Sequence, residues 1–126
     1  MKIISLRVHG FFDYSYVLIY LAAPSVIGFS GWPAKISYAA AVLYFLGAGL
    51  TNAPFGIIKL NPIRTHLIVE FIYAIATIAF PWLFHFAADH PVRNFYIVMG
   101  IIPMVVGPLT NYKSAGKPET RTPGVS

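Results

Sequence analysis

Two histidines and two carboxylates occur at the same spacing in two distant parts of the chain. His9 precedes Asp13 by four residues, and His66 precedes Glu70 by four. Residues four apart lie on one face of a helix, so each histidine can contact its own carboxylate. Imidazole and carboxylate groups can pair, transfer protons or bind a metal ion, and these are the chemistries that this spacing allows.

Each pair belongs to a longer polar face that adds hydroxyl groups and a proline at helical spacing. The two faces comprise His9, Asp13, Tyr16, Tyr20 and Pro24, and His66, Glu70, Tyr73, Thr77 and Pro81. Polar groups are costly in hydrocarbon, so we expect both faces to point into the interior of a membrane bundle. Pro24 and Pro81 are expected to kink the two helices that carry them.

A Thr-Asn pair ends each of the other two predicted helices. Thr51-Asn52 follows the second apolar run and Thr110-Asn111 follows the fourth, both at the level of the two histidines. We therefore predict one polar site at this end of the bundle. Its predicted members are His9, Asp13, Tyr16, Asn52, His66, Glu70, Tyr73 and Asn111.

Four interpretations of this site stay open. It can be a network of hydrogen bonds that only pairs helices. The two histidines and the two carboxylates, His9, His66, Asp13 and Glu70, are candidate ligands of a metal ion, although the Glu-x-x-His spacing of di-iron bundles is absent. His9 and His66 could instead be the axial ligands of a haem. Buried ionisable groups in a membrane can also bind or conduct a proton, an ion or a small amphiphile.

The composition indicates whether the helices that position these residues face water or lipid. Of 126 residues, 57% are hydrophobic and 10% are charged, and the mean hydropathy is +0.68. Soluble domains carry about 25% charged residues, so most of this chain is expected to face lipid. The apolar runs cover about residues 11–29, 34–51, 66–86 and 92–109. We therefore predict an all-α fold, a bundle of four transmembrane helices.

The chain also contains an internal repeat. A shift of 57 residues aligns Arg7 with Arg64 and Pro24 with Pro81, as well as the two histidines and the two carboxylates. The first repeat covers about residues 7–52 and the second about 64–111, and each is a predicted helical hairpin. Two hairpins cross a membrane in the same orientation, as a parallel repeat. Residues 112–126 are predicted to be a disordered cytoplasmic tail.

Lys and Arg residues are distributed unevenly between the two predicted sides of the membrane. The two short turns hold Lys35 and Arg93, whereas seven basic residues lie on the side of the termini. They are Lys2, Arg7, Lys59, Arg64, Lys113, Lys117 and Arg121. This bias predicts cytoplasmic termini in a bacterial-type inner (plasma) membrane. The net charge of +5 is then explained by orientation and by anionic lipid, so we expect no nucleic-acid partner.

A proline lies near the outer end of the first helix of each repeat, in Ala23-Pro24-Ser25 and Phe80-Pro81-Trp82. With the tandem hairpins, this pattern resembles the SPW-repeat integral membrane proteins over about residues 7–111. Neither copy has the serine of the Ser-Pro-Trp motif, and only the second has the tryptophan. The resemblance implies two-helix repeats and supplies no activity.

The sequence offers no recognisable enzyme motif. It has no cysteine, no Gly-rich phosphate loop, no G-x-S-x-G and no His-Glu-x-x-His. We expect a non-enzymatic multi-pass membrane protein that acts as a binding, transport-accessory or assembly subunit without a cofactor. Its partners would be the lipid bilayer and a second copy or another membrane protein. The alternative is a metal- or haem-binding membrane protein that uses His9 and His66.

Overall fold

The computed structural model describes residues 3–111, which form four α-helices and one π-helical turn. The helices are α1 (Leu6–Ala23), α2 (Gly31–Gly49), α3 (Ile63–Leu83) and α4 (His90–Leu109), and the π-helical turn (Pro24–Gly28) follows α1 directly. The prediction of an all-α fold is confirmed. The predicted tail, residues 112–126, lies outside the described residues.

Both histidine-bearing helices begin earlier than the apolar runs indicate. The side chain of Ser5 caps α1 by accepting a hydrogen bond from the backbone N–H of Val8 at 3.1 Å. Pro62 precedes α3 with φ −60°, a backbone angle that suits the start of a helix. His9 and His66 therefore lie within the first turns of their helices, where regular backbone geometry fixes their direction.

The two prolines of the polar faces occupy different local structures. Pro24 begins the π-helical turn, and its carbonyl accepts from the N–H of Phe29 at 2.9 Å. Pro81 lies inside α3, two residues before its end. Proline cannot donate a backbone hydrogen bond, which explains a change of helical pitch at Pro24. A kink at each proline stays a prediction.

Three of the four helices are long and apolar enough to span a membrane: α1 with its π-helical turn, α3 and α4. Large apolar side chains cover their outer faces, among them Leu18 (68% exposed), Ile72 (62%) and Val98 (52%). Such surfaces are rare on water-soluble monomers and are expected where lipid is the solvent. α2 is not among the three, and its first half carries the polar residues Lys35 and Ser37.

The helices pack as two hairpins, α1 with α2 and α3 with α4. In the first hairpin the Ser37 hydroxyl of α2 donates to the carbonyl of Tyr20 in α1 at 2.6 Å. In the second, a Cβ added at Gly100 of α4 would lie 2.5 Å from Cγ1 of Ile78 and 2.7 Å from the carbonyl oxygen of Ala74 in α3. Small residues at such positions let helix backbones approach closely. By contrast, few contacts join the helices of one hairpin to those of the other, either between α2 and α3 or between α1 and α4.

Two matching sets of backbone hydrogen bonds join the hairpins at the end that carries the histidines. The segment before each of α1 and α3 pairs in parallel with the residues that follow the neighbouring helix, α4 or α2 respectively. The bonds run from Ile4 N to Leu109 O (2.9 Å), Asn111 N to Ile4 O (2.8 Å), Asn61 N to Leu50 O (2.9 Å) and Asn52 N to Asn61 O (2.7 Å). The first turn of α1 is thereby placed beside the last turn of α4, and that of α3 beside that of α2.

Aromatic side chains fill the core beyond this polar end. Tyr20 and Tyr96 are both fully buried, and the Tyr20 ring stacks on Tyr44 at 5.8 Å between centroids. The Tyr96 hydroxyl donates to the carbonyl of Pro33 at 2.6 Å. Rings of this size bury much apolar area and hold the helices at a fixed separation around the polar cluster.

Candidate functional site

His9, Asp13, His66 and Glu70 come together between α1 and α3, and we refer to these four residues as the His–carboxylate cluster. One nitrogen or oxygen atom from each residue lies within 4.8 Å of the corresponding atoms of the other three. Their side chains are 3%, 4%, 7% and 10% exposed, respectively. The structure therefore places these four sequence-predicted site residues in one buried group.

The shortest contacts in the cluster run between the helices. Nε2 of His9 lies 2.9 Å from Oε1 of Glu70, and Nε2 of His66 lies 2.9 Å from Oδ2 of Asp13. The contacts within each helix, at spacing i, i+4, are both 3.5 Å. Each histidine thus pairs mainly with the carboxylate of the other helix, and the cluster joins the two hairpins.

The other ring nitrogen of each histidine is held by a threonine from a further helix end. Nδ1 of His9 lies 2.9 Å from Oγ1 of Thr110, whose hydroxyl donates to the carbonyl of Val106 at 2.7 Å. A hydroxyl that donates elsewhere offers only its lone pairs to the imidazole. The network therefore assigns the hydrogen of His9 to Nδ1, which donates to Thr110.

The second histidine has the same arrangement. Nδ1 of His66 lies 2.9 Å from Oγ1 of Thr51 and 3.2 Å from the carbonyl oxygen of Gly47. The Thr51 hydroxyl also donates to the Gly47 carbonyl. Because a carbonyl oxygen can only accept, Nδ1 of His66 must be the donor. Both Nδ1 atoms therefore donate to threonines, and both Nε2 atoms point at carboxylates.

This assignment fixes the charge of the cluster. Each 2.9 Å contact between Nε2 and a carboxylate oxygen needs one proton, which belongs either to the imidazole or to the carboxyl group. In the first case the pair is an imidazolium and a carboxylate, and in the second both members are neutral. Either way each pair carries no net charge, so the whole cluster is neutral with two shared protons. Neutrality is what a site buried among apolar helices requires.

The other predicted site residues occupy different positions. Asn52 and Asn111 are exposed, and the threonines before them contact the histidines instead. Tyr16 is buried next to the cluster, with its hydroxyl donating to the carbonyl of Met99 at 2.9 Å. Tyr73 is half-buried, and its ring lies 6.1 Å from that of Tyr44. The pairing of Thr with Asn at both helix ends was the sequence signal that could have identified Thr51 and Thr110.

The cluster has dimensions that suit a small metal ion. Four contacts link neighbouring members of the cluster, at 2.9, 3.5, 2.9 and 3.5 Å, with Asp13 using Oδ1 towards His9 and Oδ2 towards His66. A tetrahedral ion bound at about 2.0–2.1 Å from each ligand holds neighbouring ligands about 3.3–3.4 Å apart. Small side-chain shifts would therefore convert the cluster into a four-ligand site. The two threonines would be the outer partners that orient metal-binding histidines.

Comparisons with protein-family models, with curated proteins and with solved structures find no match to this chain.

Proposed function

We propose that the protein is a small multi-pass membrane protein in which all four helices cross the bilayer. Three helices are long and apolar enough to cross a membrane. α2 is 19 residues long, which corresponds to about 28 Å and approaches the thickness of the hydrocarbon core. Its exposed side chains include Val42 (56% exposed), Phe45 (46%) and Leu46 (46%), which supports contact with lipid.

The same proposal includes two hairpin repeats in one orientation, as in the SPW-repeat proteins that the chain resembles. Two kinds of contact occur once in each half and support it. One is the parallel backbone pair, at Ile4 and at Asn61, and the other is the bond between a histidine and a threonine. The excess of Lys and Arg on the side of the termini supports cytoplasmic termini in a bacterial-type inner membrane.

Within this membrane domain, we propose that the His–carboxylate cluster binds one divalent transition-metal ion. The observation that carries the proposal is the convergence of two imidazole and two carboxylate groups on one buried point, with both Nδ1 atoms already held by threonines. The free lone pairs of both Nε2 atoms become available once the two shared protons leave. Two histidines and two carboxylates are a suitable ligand set for Zn²⁺ and its first-row neighbours.

Charge balance favours a divalent ion in particular. Replacement of two shared protons by one M²⁺ ion leaves the net charge of the cluster at zero. A monovalent ion that displaced both protons would leave one negative charge, and a divalent ion that displaced neither would leave two positive charges. Uncompensated charge is costly in a membrane interior, so the exchange of one divalent ion for two protons is the favoured reaction.

Haem is a weaker candidate for the same residues. Both Nε2 atoms already face carboxylate oxygens at 2.9 Å, so Asp13 and Glu70 occupy the space where a porphyrin would have to lie between two axial histidines. We also propose that the protein has no enzymatic activity. The buried Ser37 hydroxyl, for example, donates to a backbone carbonyl and is not paired with a base.

Zn²⁺ binding to detergent-solubilised, chelator-treated full-length protein tests the metal proposal. Isothermal titration calorimetry is expected to give one ion per chain. A double variant, Asp13→Asn with Glu70→Gln, keeps the size of both side chains and removes both carboxylates. We expect it to lose at least about 100-fold in affinity, more than is typical for the loss of an outer partner.

A matched control removes a histidine that lies outside the cluster. His90 is exposed at the start of α4, so His90→Gln is expected to leave Zn²⁺ binding unchanged. Circular dichroism and size-exclusion chromatography establish that each variant is folded. If wild-type protein binds no more Zn²⁺ than the double variant, the metal proposal is wrong and the cluster is a network that pairs helices.

A further inference from the structure

A cavity of about 330 Å³ lies between α2 and α3, where the two hairpins meet. Leu43, Leu46 and Val69 form its apolar walls, and they are 52%, 46% and 59% exposed on the outer surface of the bundle. His66 and Glu70 also line it. The cavity therefore extends from the lipid-facing side of the protein to the edge of the His–carboxylate cluster.

Three polar atoms of the cavity wall have no hydrogen-bond partner among residues 3–111. All contacts of Glu70 use Oε1, so Oε2 is free, and the hydroxyls of Tyr44 and Tyr73 make no hydrogen bond. In the described part of the chain, the Tyr20 hydroxyl is the sole side-chain polar atom that is both buried and unpaired. These three unpaired atoms therefore retain accessible surface, and the residues that carry them line the cavity.

In the equivalent seam between α1 and α4, the residues that correspond to His66 and Tyr73 are buried. Tyr16, which corresponds to Tyr73, donates its hydroxyl to the carbonyl of Met99 in α4 and is 5% exposed. His9 is likewise 2% exposed, whereas His66 and Tyr73 are partly accessible. The two halves of the bundle thus place the same residue types in two different settings, one buried and one partly accessible.

The neighbouring helices also differ in one residue at this level. Gly47 and Val106 are equivalent, since each accepts a hydrogen bond from the threonine four residues later. Gly47 has no side chain in the cavity, and a Cβ added there would lie 3.7 Å from Cε1 of His66, at ordinary contact distance. A valine at position 47 would fit without a clash at Cβ, and its two methyl groups would occupy part of the cavity.

We propose that this cavity binds an uncharged, hydroxyl-bearing amphiphile taken from the membrane. A hydroxyl group can donate to Oε2 of Glu70 and accept from a tyrosine hydroxyl, which matches the unpaired atoms of the wall. A charged headgroup does not match, because the cluster is neutral and the rest of the wall is largely apolar. The apolar chain lies along Leu43, Leu46 and Val69 and leaves the cavity between the helices.

The size of the cavity limits how much of the ligand lies inside it. Ligand pockets measure about 300–1,000 Å³, so about 330 Å³ is near the lower limit and suits the polar end and part of one apolar chain. The cavity reaches from Thr65 to Tyr73, a distance of about 12 Å along α3. This site shares Glu70 with the proposed metal site but uses different atoms, because the metal would use Nε2 atoms and Oε1, whereas the amphiphile uses Oε2 and tyrosine hydroxyls.

Photolabelling of full-length, chelator-treated protein in phosphatidylcholine vesicles tests the proposal. The probe is a long-chain primary alcohol with a diazirine on its chain, and mass spectrometry locates the adducts. We expect adducts at Leu43, Leu46 or Val69. Excess unlabelled alcohol is expected to abolish them, whereas the alkane, the carboxylate and the trimethylammonium compound of equal chain length are expected to have little effect.

Variants that fill the cavity supply the decisive comparison. Gly47→Val and, independently, Leu46→Trp are expected to reduce labelling of the cavity several-fold while the protein stays folded. The matched control is Gly107→Val in α4, where an added Cβ meets no atom within 4 Å. Labelling spread evenly over lipid-facing residues such as Leu18, or labelling that both filled variants retain, would overturn the proposal. Stronger competition by either charged compound would also overturn it.

Discussion

Acidification is expected to weaken Zn²⁺ binding, and the hydrogen bonds of the cluster determine how steeply the affinity depends on pH. Each of the two 2.9 Å contacts between Nε2 and a carboxylate oxygen holds one proton, and a metal ion must displace both. The apparent dissociation constant therefore rises with the square of the proton concentration while the cluster is protonated. One unit of pH corresponds to about 100-fold in affinity, or about 2.7 kcal/mol.

The sign of this effect is the same for any ion that displaces the shared protons. Binding strengthens as the pH rises, and the slope falls towards zero where the metal-free cluster has already lost both protons. The groups that take part are the four members of the cluster on α1 and α3. α2 and α4 contribute the hydroxyls of Thr51 and Thr110, which stay uncharged and keep both Nδ1 atoms protonated.

The assay is Zn²⁺ titration calorimetry at several pH values, repeated in buffers of different ionisation enthalpy to count the protons released. Wild-type protein is expected to release about two protons per ion at low pH. Glu70→Gln removes one of the two carboxylates that share a proton and leaves His9 neutral, so its slope is expected to fall from about two to about one together with a loss of affinity. A pH-independent affinity in the wild type would refute the assignment of the shared protons.

Three further changes test other parts of the structure. Thr51→Val removes the acceptor that orients His66 and is expected to weaken Zn²⁺ binding about 10–100-fold in the same calorimetric titration. Gly100→Val overfills the contact between α3 and α4 and is expected to cost about 1–3 kcal/mol in denaturant unfolding, whereas Gly107→Val is expected to cost little. The chain has no cysteine, so Ser30→Cys and Asn52→Cys introduce unique thiols at opposite ends of α2. If α2 crosses the membrane, a membrane-impermeant maleimide added to intact cells will label the first and spare the second, and labelling of both or of neither contradicts the crossing.

The sequence could predict that these four residues come together, because helical periodicity is a local property. His9 and Asp13 lie on one face of α1, as do His66 and Glu70 on α3, and the cost of polar groups in hydrocarbon directs both faces inward. The sequence could not predict that each histidine pairs with the carboxylate of the other helix. Spacing of four residues favours contacts within a helix, whereas the 2.9 Å contacts run between helices because the two faces meet at equal depth.

The sequence also could not predict which residue of each Thr-Asn pair contacts the cluster. Both Thr-Asn pairs follow the last helical residues and enter the parallel backbone pairs, where successive side chains point in opposite directions, so only one member of each pair can face the cluster. Thr51 and Thr110 take that position, with their hydroxyls bonded to the carbonyls four residues earlier. Asn52 and Asn111 follow the helices and take part in the backbone pairs that join the hairpins.

The cavity could not be predicted from the repeat, because it is a difference between the two halves. Sequence symmetry predicts equal seams, and the small residues of α2, including Gly47, indicate close packing. Instead the cavity lies beside Gly47 between α2 and α3, while in the opposite seam Tyr16 is buried and bonds to the carbonyl of Met99. Relative helix separation depends on the sum of many side-chain contacts, which a pattern in one helix does not specify.

The absorption spectrum of the Co²⁺-loaded protein tests the central claim most directly. Co²⁺ bound by His9, Asp13, His66 and Glu70 in tetrahedral geometry is expected to give intense visible bands that saturate at one ion per chain and disappear on addition of Zn²⁺. The double variant with Asp13→Asn and Glu70→Gln is expected to give none of these bands. A wild-type spectrum identical to that of the double variant would contradict the assignment of a metal ion to this site.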